Sequence, residues 1–376
     1  MTQLVKIGNT STSYLKNFLS ENLPKSIFLV TGKNSYFGSG ANDKLGPILS
    51  PYSYFRFCDF EENPKVEDVE RGVELFNSYK CDLIIAVGGG STIDMAKLIN
   101  IFHSRKDDLS PYILSADPNF DVVPFVALPT TSGSGSEATH FAVVYVDKKK
   151  YSVANNNLLP DIVLIDPSFT YSALPYLTAV TGLDAFAQAI ESYWSVNSTD
   201  ESQLYSKKAI KMIWENLPSA VNENSKKAKN ELSKASHLAG KAINIAKTTA
   251  PHAFSYPFTS FFKIPHGHAV SLTLSYFLKY NFNVTKSDCN DPRGSVYVKN
   301  KVFEILSFID AGSIDAGAQK IENFIDNLGV AQKLSKLGIS QNNLKSNIID
   351  EVNLERLNNN PRKVNREKIK SYLSEQ

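Results

Sequence analysis

The sequence has few cysteines, no long apolar segment and almost no excess charge of either sign. Its three cysteines are widely spaced and form no CxxC pair, so neither a disulfide framework nor a thiolate metal site is indicated. No apolar run reaches the roughly 18–20 residues that a membrane-spanning helix needs, and residues 1–30 lack the pattern of a secretory signal. We therefore expect a cytoplasmic protein with no membrane partner.

The charge balance also restricts the partners. Lysine and arginine number 40 against 38 acidic residues, which gives a net charge of +2. Such a balance provides no general attraction to nucleic acid, so any site for an anionic ligand must be formed locally. We expect a small-molecule substrate and no nucleic-acid partner.

Length and pattern predict two domains. A chain of 376 residues exceeds the size at which a single core usually stops growing. The first half alternates β-branched and aromatic runs with amphipathic stretches, which is typical of βαβ units and a mostly parallel sheet. From about Leu174 the periodicity is helical. We predict an α/β domain over 1–174 and an all-α domain over 175–376.

The local predictions are as follows. The segment 36–44 is rich in glycine and is predicted as turns, and Asn63-Pro64 is predicted to open a helix. The polar segment 341–376 is predicted to form short surface helices and loops. The predicted strands lie at 26–32, 52–60, 81–88, 125–131, 140–147, 151–156 and 161–167.

Two polar glycine loops follow buried strands in the first half. Gly88, Gly89 and Gly90 precede Ser91 at a predicted helix start, where backbone N–H groups and the helix dipole suit a pyrophosphate. One such turn is as readily structural as functional. A second loop, 129–137, makes a nucleotide crevice the better interpretation, although the spacing is not GxGxxG.

The second half carries groups that suit a divalent ion. Asp184 lies in an apolar helical stretch, where an isolated carboxylate is costly to bury, and Gln188 lies on the same helix face. His252 and His266 are predicted to lie in loops bounded by proline. A lone histidine is more often structural, but two in such segments make ligation about equally plausible.

Two motifs carry a resemblance to a known family. GGGSTIDMAK (88–97) and PTTSGSGSEAT (129–139) resemble the cofactor-binding signatures of the iron-containing (group III) alcohol dehydrogenases. The resemblance implies a dehydroquinate synthase-like fold, with an α/β dinucleotide domain followed by an all-α metal domain. It further implies an NAD(P)-dependent alcohol dehydrogenase or aldehyde reductase, which by analogy is a homodimer.

The resemblance implies roles for particular residues of the nucleotide half. Lys150 matches a lysine that reaches the cofactor phosphates, whereas Lys148 and Lys149 are predicted at a solvated hairpin tip. The pyrophosphate is expected at the first loop and the nucleotide at the second, through Gly88, Gly89, Gly90, Ser91, Thr130 and Thr131.

The residue after the first predicted strand bears on the choice of cofactor. A carboxylate there would accept from the ribose 2′-hydroxyl and repel a 2′-phosphate, but this chain has Gly32. Together with Lys33 and Ser35, it resembles the NADP-using members of the family. NADPH is therefore the expected cofactor, with NADH as the alternative.

The resemblance also implies a metal site formed by Asp184, His252 and His266. Gln188 departs from the pattern, since most members have histidine there, so the site has either a weak fourth ligand or three ligands. Fe(II) or Zn(II) is expected, and Mn(II) also suits these donors. The ion would act as a Lewis acid on the substrate carbonyl.

Two residues are candidates for proton transfer. Tyr256 stands where many members have a histidine, so it either relays a proton or only shapes the pocket. His268, two residues after His266, is the preferred proton carrier, with a supporting role as the alternative.

Several strings resemble those of the phosphonoacetaldehyde reductases within this family, which form 2-hydroxyethylphosphonate. They are 139–147, 187–195, 197–202, 239–244 and 247–253. A phosphonate substrate needs cations or donors, and Lys241, Lys247 and His140 are the candidates. The alternatives are a general short-chain alcohol dehydrogenase and a nucleotide-binding relative without catalysis.

Overall fold

The computed structural model describes residues 3–105, 108–114, 121–147, 149–339, 352 and 354–374. The chain divides into two compact units, Met1–Ala173 and Leu174–Gln376. Lys148 and most of the segment 340–353 lie outside the described residues. Within the described residues, none of the helices combines the length and apolarity required to cross a bilayer.

The first unit is built on a parallel sheet. Six strands pair in the order β1-β8-β5-β4-β2-β3, and every pairing among them is parallel. β6 and β7 form a separate antiparallel hairpin. The strands are β1 (Leu4–Ile7), β2 (Ile27–Thr31), β3 (Tyr54–Phe57), β4 (Leu83–Gly88), β5 (Phe125–Pro129), β6 (Phe141–Val146), β7 (Lys149–Ala154) and β8 (Ile162–Ile165).

Helices cover both faces of this sheet. The helices of the unit are α1 (Thr12–Asn22), α2 (Ser35–Gly38), α3 (Ala41–Leu49), α4 (Val66–Ser78), α5 (Gly90–Phe102) and α6 (Ser110–Leu114). Alternate strand residues face α1 and α3 on one side, as Leu29 and Ile85 do, or α4 and α5 on the other, as Phe28 and Ile84 do. Burial on both faces explains why the central strands are continuously apolar.

The structure corrects two local predictions. The glycine-rich segment 36–44 is largely helical, because Gly40 takes a φ of 75° before α3 and because Leu45 and Leu49 are buried against the sheet. The helix expected at Pro64 begins instead at Val66, since Lys65 is extended.

The second unit is helical throughout the described residues. Its helices are α7 (Pro175–Trp194), α8 (Asp200–Asn222), α9 (Lys226–Ala246), α10 (Ala250–Phe262), α11 (His266–Ser271), α12 (Leu274–Phe282), α13 (Ser295–Phe308), α14 (Ile314–Asn327), α15 (Leu354–Asn358) and α16 (Arg366–Ser374). α16 buries Ile369 and Leu373, so this part of the predicted surface tail packs into the core. The predicted fold class, an α/β sheet domain followed by an all-α domain, is confirmed.

Candidate active site

The two glycine loops lie side by side at the carboxyl edge of the sheet. Gly88 ends β4 and Thr130 follows β5, and the backbone N–H of Thr130 donates to the carbonyl oxygen of Gly88 over 3.0 Å. A Cβ on Gly90 would lie 2.6 Å from Ser134 Oγ, and one on Gly89 would lie 3.3 Å from Thr131 Oγ1. Side chains of the second loop therefore lie against the glycines of the first loop, and a larger residue at Gly90 would require Ser134 to move. The first loop leads into the N-terminus of α5, where backbone N–H groups suit an anion.

Two buried charged residues of α5, Lys97 and Asp94, hydrogen-bond to the second glycine loop and to the residues that follow it. The Lys97 ammonium is fully buried and donates to the carbonyl oxygens of Ser136 and Thr139 over 2.6 and 2.7 Å. Burial lowers the pKa of Lys97 to about 8, although nearby Asp94 opposes that shift. Asp94 accepts from Ser136 Oγ and from the backbone N–H of Val143.

Lys150 on β7 lies close enough to α5 to act on the same carboxylate. Burial raises the pKa of Asp94, and the charges of Lys97 and Lys150 and hydrogen bonds from Ser136 and Val143 oppose that rise. The predicted phosphate-binding role of Lys150 stays a prediction.

Gly32 follows β2, the strand next to β4, and its surroundings leave little room for a side chain. A Cβ there would lie 2.1 Å from Ser35 Oγ and 3.8 Å from Thr92 Oγ1. The predicted cofactor-choice residues Gly32, Lys33 and Ser35 thus lie beside the first glycine loop, and the Lys33 and Ser35 side chains are exposed.

Arg56 contacts the segment 31–33, although the sequence did not indicate it as a site residue. Its Nε donates to Thr31 Oγ1 over 2.8 Å, and its Nη2 donates to the carbonyl oxygens of Gly32 and Lys33, each over 3.2 Å. The guanidinium also lies over the rings of Tyr36 and Phe37, at 5.1 and 4.8 Å from their centroids. Within the part of the chain that the structure describes, these bonds leave the two N–H groups of Nη1 for another acceptor.

The helical unit brings together Asp184 on α7, His252 on α10 and His266 at the start of α11. The two histidines therefore lie in helices and not in the predicted loops, because Pro251 stands in the first turn of α10 and Pro265 directly precedes α11. One potential ligand atom from each lies within 4.8 Å of the others. Asp184 Oδ1 is 3.3 Å from His252 Nε2 and 4.0 Å from His266 Nε2. Gly267 permits the close approach of α11, because a Cβ there would lie 1.9 Å from the carbonyl oxygen of Val180.

Gln188 supports this group through its amide. Its Nε2 donates to Asp184 Oδ1 over 3.1 Å, one helical turn away on α7. Burial alone would raise the pKa of Asp184, but the hydrogen bond from His252, the charges of both histidines and the amide together hold that pKa below its usual value. Asp184 is therefore ionised, as a metal ligand must be.

A second carboxylate, Glu191, lies behind His252. It is fully buried on α7 and accepts from His252 Nδ1 through Oε1. Burial alone would lower the pKa of His252, but Glu191 and Asp184 outweigh it and raise that pKa to about 10. His252 thus has a carboxylate on each ring nitrogen.

The predicted proton carriers occupy different surroundings. Tyr256 stacks on His266, with ring centroids 5.8 Å apart and planes 12° apart. His268 is buried, with Nε2 donating to the carbonyl oxygen of Ala331 over 2.6 Å and Nδ1 accepting from the half-exposed Tyr176 hydroxyl over 2.9 Å. Burial lowers the pKa of His268, which keeps the ring neutral at pH 7.

The predicted substrate residues are not gathered in one place by the contacts that the structure gives. Lys241 on α9 donates to the Tyr205 hydroxyl over 2.8 Å and lies 4.1 Å from that ring's centroid. His140 belongs to the first unit and lines a polar depression with 154–157. Lys247 is half-buried at the end of α9, five residues before His252, with a φ of 59°.

The donor set fits a borderline divalent ion such as Fe(II) or Zn(II). A carboxylate oxygen and two imidazole nitrogens form the set, and one of the histidines is backed by a buried carboxylate, which is the usual support of a metal-bound imidazole.

Comparison with known proteins decides the family. Residues 3–167 match the family described as iron-containing alcohol dehydrogenase, and residues 178–376 match the C-terminal part of the Fe-containing alcohol dehydrogenase family. The chain belongs to the iron-containing alcohol dehydrogenase family. The resemblance seen in the sequence is thereby confirmed, and the chain is a member of a family of oxidoreductases.

Individual members of the iron-containing alcohol dehydrogenases are similar over most of the chain. An NADPH-dependent butanol dehydrogenase of Clostridium saccharobutylicum is 35% identical over 283 residues, 73% of this chain and 71% of the relative. A phosphonoacetaldehyde reductase of Streptomyces viridochromogenes is 31% identical over 307 residues, 79% of this chain and 76% of the relative. Matching aldehyde-alcohol dehydrogenases are longer, and the match covers 35% of the one from Streptococcus pneumoniae.

Among solved structures, the sulfoacetaldehyde reductase of Bifidobacterium kashiwanohense in complex with NAD+ superposes with a TM-score of 0.88. It is 28% identical, and the superposition covers 99% of this chain and 97% of that chain.

Sequence reasoning missed Arg56, Tyr176 and Glu191. Glu191 carries two signals in the sequence: it is a carboxylate in an apolar helix, and it follows Asp184 by seven residues and so lies on the same helix face. Arg56 carries no signal, because its role depends on the pairing of β3 with β2.

Proposed function

We propose that this protein is a metal-dependent, NADPH-using reductase of a small aldehyde, with phosphonoacetaldehyde as its substrate and 2-hydroxyethylphosphonate as its product. The observation that carries the proposal is the convergence of Asp184, His252 and His266 on one point. A carboxylate and two imidazoles form a donor set that catalytic divalent ions use.

The chemistry divides between bound groups and this chain's residues. When bound, the ion supplies Lewis acidity to the aldehyde oxygen and the nicotinamide supplies the hydride. Asp184, His252 and His266 would hold the ion, with Gln188 keeping Asp184 oriented. The glycine loops would bind the pyrophosphate through backbone N–H groups.

The alcohol oxygen also needs a proton, for which we propose His268 and Tyr176. Tyr176 is 47% exposed, and its hydroxyl donates to His268 Nδ1. In the proposed step the Tyr176 hydroxyl would give its proton to the alcohol oxygen and recover one from solvent, while His268 Nδ1 holds that hydroxyl in place. Tyr256 is assigned to shaping the pocket, because its ring stacks on His266.

NADPH is the proposed cofactor because two cationic side chains, Lys33 and Arg56, lie beside Gly32. Lys33 and the Nη1 of Arg56 provide donors for a 2′-phosphate, and no carboxylate stands at position 32 to repel it. The similarity to an NADPH-dependent butanol dehydrogenase points the same way, whereas the solved sulfoacetaldehyde reductase contains NAD+.

The substrate proposal rests on two similarities. The strings that match phosphonoacetaldehyde reductases and the 31% identity to one of them both favour a phosphonate. The similar sulfoacetaldehyde reductase is named for another short anionic aldehyde. Lys247 is the preferred cation for the anionic end of the substrate, because it ends α9 only five residues before His252.

A steady-state comparison tests the proposal. NADPH oxidation by the protein loaded with Fe(II) or Zn(II) is measured with phosphonoacetaldehyde, sulfoacetaldehyde and butanal, and kcat/KM should be highest for phosphonoacetaldehyde. Lys247→Gln should raise KM for the two anionic aldehydes and leave butanal unchanged, with Lys241→Gln as the matched control. Preference for butanal would favour a general short-chain alcohol dehydrogenase. Cofactor binding with neither metal nor turnover would favour a non-catalytic relative.

A further inference from the structure

The carboxylate of Glu191 contacts both the His252 ring and the backbone at the start of α10. Oε2 accepts from the backbone N–H of Thr249 over 2.7 Å and from its Oγ1 over 3.0 Å. Oε2 also lies 3.4 Å from the backbone nitrogen of His252, in the first turn of α10. Glu191 therefore caps a neighbouring helix whose own N-cap residue makes no side-chain cap bond.

The cap supplies the fully buried carboxylate of Glu191 with hydrogen-bond donors. Two backbone N–H groups, a hydroxyl and the positive end of α10 all face Oε2. Trp194 Nε1 donates to Thr249 Oγ1 over 3.0 Å, which fixes the hydroxyl so that its proton points to Glu191. Among the described residues, the partners of Oε2 are thus backbone N–H groups and one hydroxyl.

The other oxygen determines which nitrogen of His252 bears a proton. The Glu191 carboxylate accepts hydrogen bonds at Oε2, and when Oε1 accepts as well, the contact with His252 places a proton on Nδ1. Nε2, which faces Asp184, is then the nitrogen whose lone pair is available to an ion. A residue on α7 thereby sets the tautomer and the ring orientation of a ligand on α10.

We infer that Glu191 is a positioning residue for the metal site, which holds His252 with Nε2 turned to the ion and seats the first turn of α10 with the same carboxylate. The inference rests on the proposed metal site. It predicts that an amide is a poor substitute: if the amide oxygen keeps the cap, its NH2 group faces Nδ1–H, and the ring must change tautomer and lose Nε2 as a ligand.

Metal affinity of the folded protein tests this without recourse to activity. The chelator-treated protein is titrated with Zn(II) and Co(II) in competition with a chromophoric chelator, and the visible spectrum of the Co(II) form is recorded. Glu191→Gln should bind both ions about 10–100-fold more weakly and alter the Co(II) spectrum. Glu191→Asp should lie between that variant and the wild type, because it retains a carboxylate that is one methylene shorter.

The matched control is Ser192→Ala, next to Glu191 in sequence. It removes a buried hydroxyl that contacts the carbonyl oxygens of Gln188 and Ala189 and Ser206 Oγ. It should retain wild-type metal affinity. Wild-type affinity in a folded Glu191→Gln protein, or an equal loss in Ser192→Ala, would overturn the inference. If Glu191→Gln does not fold, wild-type affinity in Glu191→Asp would overturn it. Failure of the wild-type protein to bind either ion would instead refute the metal site itself, and the inference with it.

Discussion

The buried ammonium of Lys97 donates a hydrogen bond of 2.7 Å to the carbonyl oxygen of Thr139 and thereby fixes the end of the second glycine loop to α5. Two further carbonyl oxygens, those of Ser136 and Phe141, accept from the same ammonium at 2.6 and 2.9 Å. The second glycine loop, which is predicted to line the nucleotide pocket, is thus held in place by one buried side chain.

Lys97→Met should destabilise the protein and weaken cofactor binding. The variant leaves buried carbonyl oxygens and Asp94 without their cation, a loss of about 3–5 kcal/mol for a buried charge. Urea unfolding and a fluorescence titration with NADPH measure the two effects. Lys16→Met, at an exposed position of α1, is the control and should change neither quantity. Wild-type stability in Lys97→Met would show that the loop does not depend on this contact.

Arg56→Met should reduce the preference for NADPH over NADH. Hydrogen bonds to charged groups contribute about 1.5–3 kcal/mol, so loss of the Nη1 donors should weaken NADPH binding about tenfold or more. The affinity for NADH should fall less, because NADH loses only the hydrogen bonds by which Arg56 holds the backbone of Gly32 and Lys33 in place. Dissociation constants for both cofactors provide the measurement.

The control for Arg56→Met is Arg71→Met. Arg71 also packs on an aromatic ring, that of Phe57, and bonds a carboxylate, that of Asp68, but it belongs to α4. If Arg56→Met lost the same affinity for NADPH as for NADH, Arg56 would not bind the 2′-phosphate and would have only a structural role.

The sequence predicts the parts of the nucleotide half that depend on local chemistry. Gly88–Gly90 and Thr130–Thr131 are recognisable because each loop follows an apolar strand, and parallel strands end at one edge. The segment 36–44 is predicted incorrectly, because burial of Leu45 and Leu49 against the sheet outweighs the low helix propensity of its glycines. Local composition does not reveal such packing.

Prediction from sequence is limited in the same way for the helical unit, where the candidate metal ligands lie. Asp184 stands out because a carboxylate in an apolar helix needs a partner, and Glu191 carries the same signal. Its partner, the first turn of α10, is 58 residues away from it in sequence. Arg56 likewise depends on strand pairing. Contacts between helices and strands that are distant in sequence cannot be predicted in this way, because no short motif specifies how those elements pack.

Gln188→His should tighten metal binding. An imidazole in place of the amide adds a stronger donor one turn from Asp184, so we expect an affinity for Zn(II) at least about tenfold higher. Competition titration of the metal-free protein measures it. Gln203→His, at a buried glutamine on α8, controls for adding a histidine to this unit and should leave the affinity unchanged. A lower affinity in Gln188→His would mean that the hydrogen bond from Gln188 to Asp184 matters more than a fourth nitrogen.

Metal binding should release protons, and its affinity should rise with pH. In the metal-free protein the carboxylates of Glu191 and Asp184 outweigh burial and raise the pKa of His252 to about 10, so His252 carries a proton on each nitrogen at pH 7. An ion can bind Nε2 only after that proton leaves, so apparent affinity should increase about tenfold per pH unit below this pKa. Asp184 adds no dependence near pH 7, since its pKa is lowered. Calorimetric titration with Zn(II) at pH 7, in two buffers of different ionisation enthalpy, counts the protons. His252 should contribute about one, and release of none would contradict ligation by His252.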